Sequence, residues 1–241
     1  MSAREERPAH RDWRVVLVTD PRYALARTCA VVREAAAIVG GEHVLVQLRD
    51  KEADEASMLA TAHELRKATH DAGAQLVING PLAVAARAGA DGIHVAGRSA
   101  PSELVSTCAA ARELLGPSAI VTTAAHDDDD VRAAVLAGAS AVLVSPIFAT
   151  PGKGPARGLE ALRQARAHVV DAARHGAGVR IFALGGVTAA NAAACIEAGA
   201  DGVAAIRALY EDGPLAGELL HAVAAAAFLP GAHGAGRSGM P

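Results

Sequence analysis

Ala198-Gly199-Ala200-Asp201-Gly202-Val203 reads as a helix end, a tight turn and a strand start, and close copies stand at Ala88-Gly89-Ala90-Asp91-Gly92-Ile93 and Ala137-Gly138-Ala139-Ser140-Ala141-Val142. Before each copy lies an alanine-rich stretch with apolar residues at i, i+3 and i+4; after it comes a short, continuously apolar run. All three are therefore helix-to-strand joints. Working outward, strand-length runs fall at Val15–Thr19, His43–Leu48, Gln75–Ile78, Gly92–Val95, Ala119–Thr123, Ala141–Ser145, Arg180–Leu184 and Gly202–Ile206. Helical segments separate them, from Ala24–Val39 through to Pro214–Ala227, with Asp127 and Thr188 as candidate caps. Strands without polar alternation belong in a parallel sheet covered by helices on one side and filled on the other. Eight such units predict a single (β/α)8 TIM barrel over residues 13–228, with a polar arm at 1–12 and a Gly-rich tail at 229–241 that are expected to be disordered.

Composition agrees with that architecture. A chain of 241 residues fits one barrel of about 250. The hydrophobic share is 51% with only 2% aromatic, so the core must be built from Ala, Val, Leu and Ile. A net charge of -3, with no basic stripe beside stacking aromatics, excludes nucleic acid as an expected partner. Met1–Asp12 lacks an apolar core and no run of 18 apolar residues occurs, so neither a signal peptide nor a membrane span is expected and a cytoplasmic protein is. Cys29, Cys108 and Cys195 are isolated in alanine-rich helical stretches and read as small apolar residues, with no disulfide and no metal site.

In a barrel of this kind the C-terminal strand ends share one mouth, whereas the short joints at the opposite face serve stability. Asp91 and Asp201, which lie in those joints, are accordingly not read as catalytic. At the mouth, Gln47, Arg49 and Lys51 alternate, and an extended strand end would aim all three inward. A guanidinium fork beside an ammonium suits a diphosphate, and Gln47 suits a neutral polar ring; a solvated charged loop is the competing reading. Gly185-Gly186, before a helix starting near Thr188, offers bare amides for a phosphate, with Ile206-Arg207 as the matching end of the eighth strand; a plain tight turn competes. The Gly- and Pro-rich segment from Ser145 to Pro155 reads either as a lid bringing Lys153 over the mouth or as a surface loop. His126 precedes Asp127-Asp128-Asp129-Asp130, and four acids at a helix start are read as dipole-matched capping. His94 is left undecided between barrel interior and helices.

These residues, in this order, resemble the thiamine phosphate synthase and TenI family. The likeness spans about Val15 to Leu209 and rests on Leu17-Val18-Thr19-Asp20, Gln47-Leu48-Arg49-Asp50-Lys51, Ile78-Asn79, Ala90-Asp91-Gly92-Ile93-His94, Ser145-Pro146-Ile147-Phe148-Ala149-Thr150 with Lys153, Ala183-Leu184-Gly185-Gly186-Val187 and Ala200-Asp201-Gly202-Val203. The resemblance implies an enzyme of thiamine biosynthesis that joins hydroxymethylpyrimidine diphosphate to thiazole phosphate and releases diphosphate. Carried over position by position, it implies that Arg49, Lys51 and Lys153 are catalytic through the diphosphate, with Asn79 beside them. Gln47 would contact the pyrimidine, His126 and Thr150 would line the substrate site, and Gly185, Gly186, Ile206 and Arg207 would hold the thiazole phosphate.

The family's synthases hold magnesium with an Asp after the Asn of the third strand and another after the fourth strand; here those positions are Gly80 and Ser99. A magnesium cofactor is therefore left open, and no metal ligand is named. Ala124 and Gly152 replace a Ser and a Thr of the same pattern. The Asn-Gly pair also resembles the TenI branch of thiazole tautomerases, in which His126 would be the first proton-transfer candidate, although Pro146 stands where that branch has its His. Synthase activity leads, with tautomerase and a non-catalytic thiazole phosphate binder as alternatives. The expected partners are small phosphorylated substrates, and the sequence assigns no oligomeric state.

Overall fold

The computed structural model describes residues 12–97, 99–173, 178–210 and 214–226. Eight parallel strands close into a barrel in chain order: β1 (Val15–Val18), β2 (Val44–Leu48), β3 (Gln75–Ile78), β4 (Gly92–Val95), β5 (Ile120–Ala125), β6 (Ala141–Val144), β7 (Arg180–Leu184) and β8 (Gly202–Ala205). Helices α1 (Leu25–Val39), α2 (Glu55–Asp71), α3 (Leu82–Ala88), α4 (Pro101–Leu115), α5 (Asp128–Leu136), α6 (Gly158–Ala173) and α7 (Ala189–Glu197) connect successive strands. After β8 a single-turn helix α8 (Arg207–Tyr210) precedes α9 (Pro214–Ala226). The (β/α)8 fold is thus as the sequence implies, apart from α8. The ends expected to be disordered, 1–12 and 229–241, lie outside the described residues except for Asp12, which Arg180 and Arg14 hold.

The strand period divides the apolar residues between two cores. Val16, Val18, Leu45, Val77, Ile120, Leu143, Phe182 and Ala204 fill the interior, and Trp13 closes its bottom, 1% exposed with Nε1 donating to Gln75 Oε1 at 2.7 Å. Val15, Leu17, Val46, Leu76, Ile78, Ile93, Val142 and Ile181 pack outward against the helices.

The three joints share a structural task. Asp91 Oδ2 accepts the Leu76 amide at 2.8 Å, Ser140 Oγ the Val121 amide at 3.1 Å, and Asp201 Oδ2 the Ile181 amide at 2.7 Å. Each oxygen satisfies an amide in the strand before its own, and Arg66 and Arg166 pair with the two acids. At Gly202 a Cβ would lie 2.2 Å from Arg14 O, so only glycine fits. These residues stand at the bottom of the barrel, remote from the mouth.

Two boundaries differ from expectation near the site. His43 is in a one-turn 3-10 helix (Gly41–His43), not in β2, because its ring is drawn to Asp12 O at 2.6 Å. The extended chain of β2 ends at Leu48, so the strand alternation does not reach Lys51, which is exposed in a bend.

Candidate active site

The mouth is built from the residues just beyond each strand. Gln47, 2% exposed, points inward from β2, and its Oε1 accepts Asn79 Nδ2 at 3.2 Å. With Oε1 taken by Asn79, the Gln47 amide nitrogen is the end that can donate. Thr19 clamps the start of the next loop: its hydroxyl accepts the Arg49 amide at 2.9 Å and lies 3.3 Å from Arg49 O. That fixes the Arg49 backbone at the rim; its half-buried side chain makes no ion pair within 4 Å among the described residues, although its charge helps lower the pKa of Asp20.

The structure settles His94. Its neighbour Ile93 packs outward, so His94 faces the interior, 7% exposed, with Nδ1 2.9 Å from Thr122 Oγ1 on the adjacent strand. Burial, assisted by the nearby Arg49 charge, lowers its pKa from 6.5 to about 3. The imidazole is therefore neutral at every physiological pH, and its Nε2 takes no described protein partner. The register that gives this away is in the sequence: Gly92, with no side chain, sits two before His94, and Thr122 lies directly opposite on β5.

On the far side, Ser145 and His126 meet. His126 Nδ1 is 3.2 Å from Ser145 O and 3.4 Å from Ser145 Oγ. Asp130 Oδ2 accepts the His126 amide at 2.7 Å, while Asp127 caps α5 through the Asp130 amide at 2.9 Å. The acid run is thus mainly a capping device, as its position implies.

The β6–α6 segment is stitched to the end of β7 by Ile147 N donating to Leu184 O at 2.9 Å and Phe148 N to Gly185 O at 3.0 Å. Gly185 and Gly186 have φ of 98° and 65° and lie directly beneath it. A Cβ on Gly186 would be 2.8 Å from Phe148 Cβ and 2.9 Å from Ala149 O. Thr150 joins this group, its Oγ1 donating to Phe148 O at 3.0 Å and standing 3.2 Å from where a Gly185 Cβ would be. Lys153 is exposed further along the segment, and Arg157 anchors its far end on Asp128 at 3.0 Å. Ile206 leans on the interior core, and Arg207, exposed, opens α8.

The residues expected in the site thus lie at the C-terminal strand ends or, for Lys51, Thr150 and Lys153, in the loops that follow them. They form three contacting groups: Gln47 with Asn79, His126 with Ser145, and Thr150 with the twin glycines. Arg49, Lys51, Lys153 and Arg207 make no ion pair among the described residues. Most other described cations do, including Arg14, Arg22, Arg27, Arg66, Arg87, Arg166 and Arg180. A cavity of about 280 Å³ flanks the mouth between α1 and α2, bordered by Thr19, Asp20, Tyr23, Thr28 and Arg49.

A magnesium ion of the kind the resemblance implies does not fit these residues. Gly80 offers no side-chain oxygen, and Ser99 Oγ turns back to donate to Ala96 O at 3.2 Å. Asp20 is clasped by Arg22, whose Nε lies 2.9 and 3.1 Å from its two oxygens, and this contact lowers its pKa. Asp50 Oδ1 accepts the amides of Glu52 and Ala53. Among the described residues no three His, Cys, Asp or Glu side chains come together as a metal group. No described helix is long and apolar enough to cross a membrane.

Comparison with known proteins gives the same direction. A thiamine-phosphate synthase of Chloroflexus aurantiacus is 40% identical over 201 residues, covering 82% of this chain and 85% of that protein. One of Roseiflexus sp. is 37% identical over 218 residues, covering 88% and 86%. The fold matches a solved thiamine phosphate pyrophosphorylase of Pyrococcus furiosus with a TM-score of 0.70 at 24% identity, over 90% of this chain and 98% of that one. The family described as thiamine monophosphate synthase, TMP-TENI, matches residues 15–209, and the chain belongs to it.

Proposed function

We propose that this protein is a thiamine-phosphate synthase, joining hydroxymethylpyrimidine diphosphate to thiazole phosphate. The observation that carries the reading is the rim of Arg49, Lys51, Lys153 and Arg207, four cations without carboxylate partners among the described residues around one mouth. Unpaired cations are held available for a polyanion, and two phosphorylated substrates supply one at each side. Gln47, oriented by Asn79, hydrogen-bonds the pyrimidine. Arg49, Lys51 and Lys153 receive the diphosphate as the bond from its oxygen to the pyrimidine methylene breaks and the electron pair leaves with oxygen. The thiazole nitrogen then gives its lone pair to the methylene carbon, forming thiamine phosphate. The amides at Gly185-Gly186, with Ile206-Arg207, hold the thiazole phosphate in line. Neutral His94 lies below this chemistry and adds no like charge to the developing cation.

The test is to mix both substrates with the purified protein and follow thiamine phosphate by chromatography. Product formation that falls about 100-fold or more in Arg49→Ala supports the reading, as loss of one charge-stabilising donor typically has that effect. Absence of product at any metal concentration removes it. One observation favours a tautomerase as second reading: Gly80 leaves no carboxylate at the position where the synthases have an Asp. Conversion of the unaromatised thiazole without the pyrimidine substrate, lost in His126→Ala, would move the assignment there.

A further inference from the structure

The expected metal positions and the cations around them disagree about how a diphosphate is held. Magnesium demands near-octahedral oxygen ligands and in phosphate sites is usually tied to the protein by one or two carboxylates. Here one such position is Gly80, which has no side chain to offer an oxygen. The other offers a Ser99 hydroxyl already bonded to Ala96 O at 3.2 Å. The acids that remain near the mouth each hold protein donors: Asp20 clasps Arg22 with both oxygens, Asp128 pairs with Arg157, and Asp50 and Asp130 each accept backbone amides on one oxygen.

Arg49, Lys51 and Lys153 by contrast have no carboxylate within ion-pair distance among the described residues. In a metal-dependent site the carboxylates that hold the ion also neutralise neighbouring cations, so metal and free cations are alternative ways to meet the same phosphate charge. We infer that this chain binds the diphosphate of its substrate directly through Arg49, Lys51 and Lys153, with no magnesium ion between protein and ligand. The inference rests on the synthase reading for the identity of the substrate, but not for its test. Arg49 has the firmest place, since Thr19 fixes its backbone by the 2.9 Å amide contact. Lys51 and Lys153, both exposed, supply mobile point charges that can follow the diphosphate as it leaves.

Two measurements on the full-length protein decide it. Calorimetric titration with inorganic diphosphate is run in excess EDTA and again with magnesium, and the condensation of the two substrates is timed under the same two conditions. The expected result is binding in EDTA that magnesium does not tighten, weakened about 10-fold or more in Arg49→Ala and in Lys153→Ala, with turnover equal within about twofold in EDTA and magnesium. Diphosphate binding or turnover that needs magnesium by 10-fold or more overturns the inference while leaving the synthase reading intact. If no thiamine phosphate forms in either condition, the synthase reading fails alone. Titration still decides the inference: metal-independent diphosphate binding upholds it, and no binding in EDTA overturns it. Circular dichroism of each variant separates loss of binding from loss of fold.

Discussion

His94 gives the pH dependence of stability a source that can be isolated by one substitution. Its ring is buried in the interior with only Thr122 Oγ1 on Nδ1 and the Arg49 charge nearby, and its pKa is lowered to about 3. In the unfolded chain the same ring titrates near 6.5. Between those values the unfolded state binds a proton that the folded state refuses, so stability falls as pH drops below 6.5 and continues falling toward 3. Integrating the linkage, the loss from pH 7 to pH 5 attributable to this ring is about 2 kcal/mol. The assay is urea unfolding of wild type and His94→Gln at pH 5, 6 and 7. Glutamine keeps a hydrogen-bonding group opposite Thr122 but does not titrate. Wild type should lose about 2 kcal/mol more than the variant over that interval, and the gap should stop growing above pH 7. Parallel curves for the two proteins would refute the argument, because they would mean that the ring protonates equally in both states.

Asp201→Ala strips the Ile181 amide and the Arg166 guanidinium of their common acceptor and should cost about 1–3 kcal/mol in urea unfolding. Ser140→Ala, which loses one neutral hydrogen bond at the equivalent joint, should cost about 1 kcal/mol, and both should leave substrate binding unchanged. Gly186→Ala places a Cβ 2.8 Å from Phe148 and forces a positive φ, so it should lower thermal stability and raise the KM for thiazole phosphate, read by melting and steady-state kinetics. Thr19→Val removes the hydroxyl that clamps Arg49, and should weaken diphosphate binding less than Arg49→Ala does, read by calorimetry.

The barrel was legible because its signals are local and repeated. The Ala-Gly-Ala-Asp-Gly joints mark where helices stop and strands begin, and the structure shows why: an acid satisfies the preceding strand, and glycine stands where Arg14 O leaves no space for a Cβ. Trp13 as the plug of the barrel was not legible, since a lone tryptophan beside a polar arm carries no period to read. The one-turn helix α8 is likewise too short for a pattern. In the site, the strand ends pointed to Gln47, Asn79 and the twin glycines, and the structure has the first two in contact and the glycines at positive φ beyond β7. Alternation failed at Lys51 because β2 stops at Leu48, where the chain bends and Asp50 turns to cap the amides of residues 52 and 53. The partner of Gly186 was also hidden: close approach was expected from a phosphate, whereas the nearest group is the protein's own Phe148. Contacts between loops depend on three-dimensional closure that no spacing in one segment encodes.

In the proposed synthase, cations and amides from distant loops enclose one ligand pair at the mouth. A crystal structure of the protein with hydroxymethylpyrimidine diphosphate and thiazole phosphate tests it directly. The expected result is the diphosphate within hydrogen-bonding distance of Arg49, Lys51 and Lys153, the pyrimidine on Gln47, and the thiazole phosphate on the Gly185-Gly186 amides. Ligands seated instead in the flanking cavity between α1 and α2, with Lys51 and Lys153 turned to solvent, would contradict it.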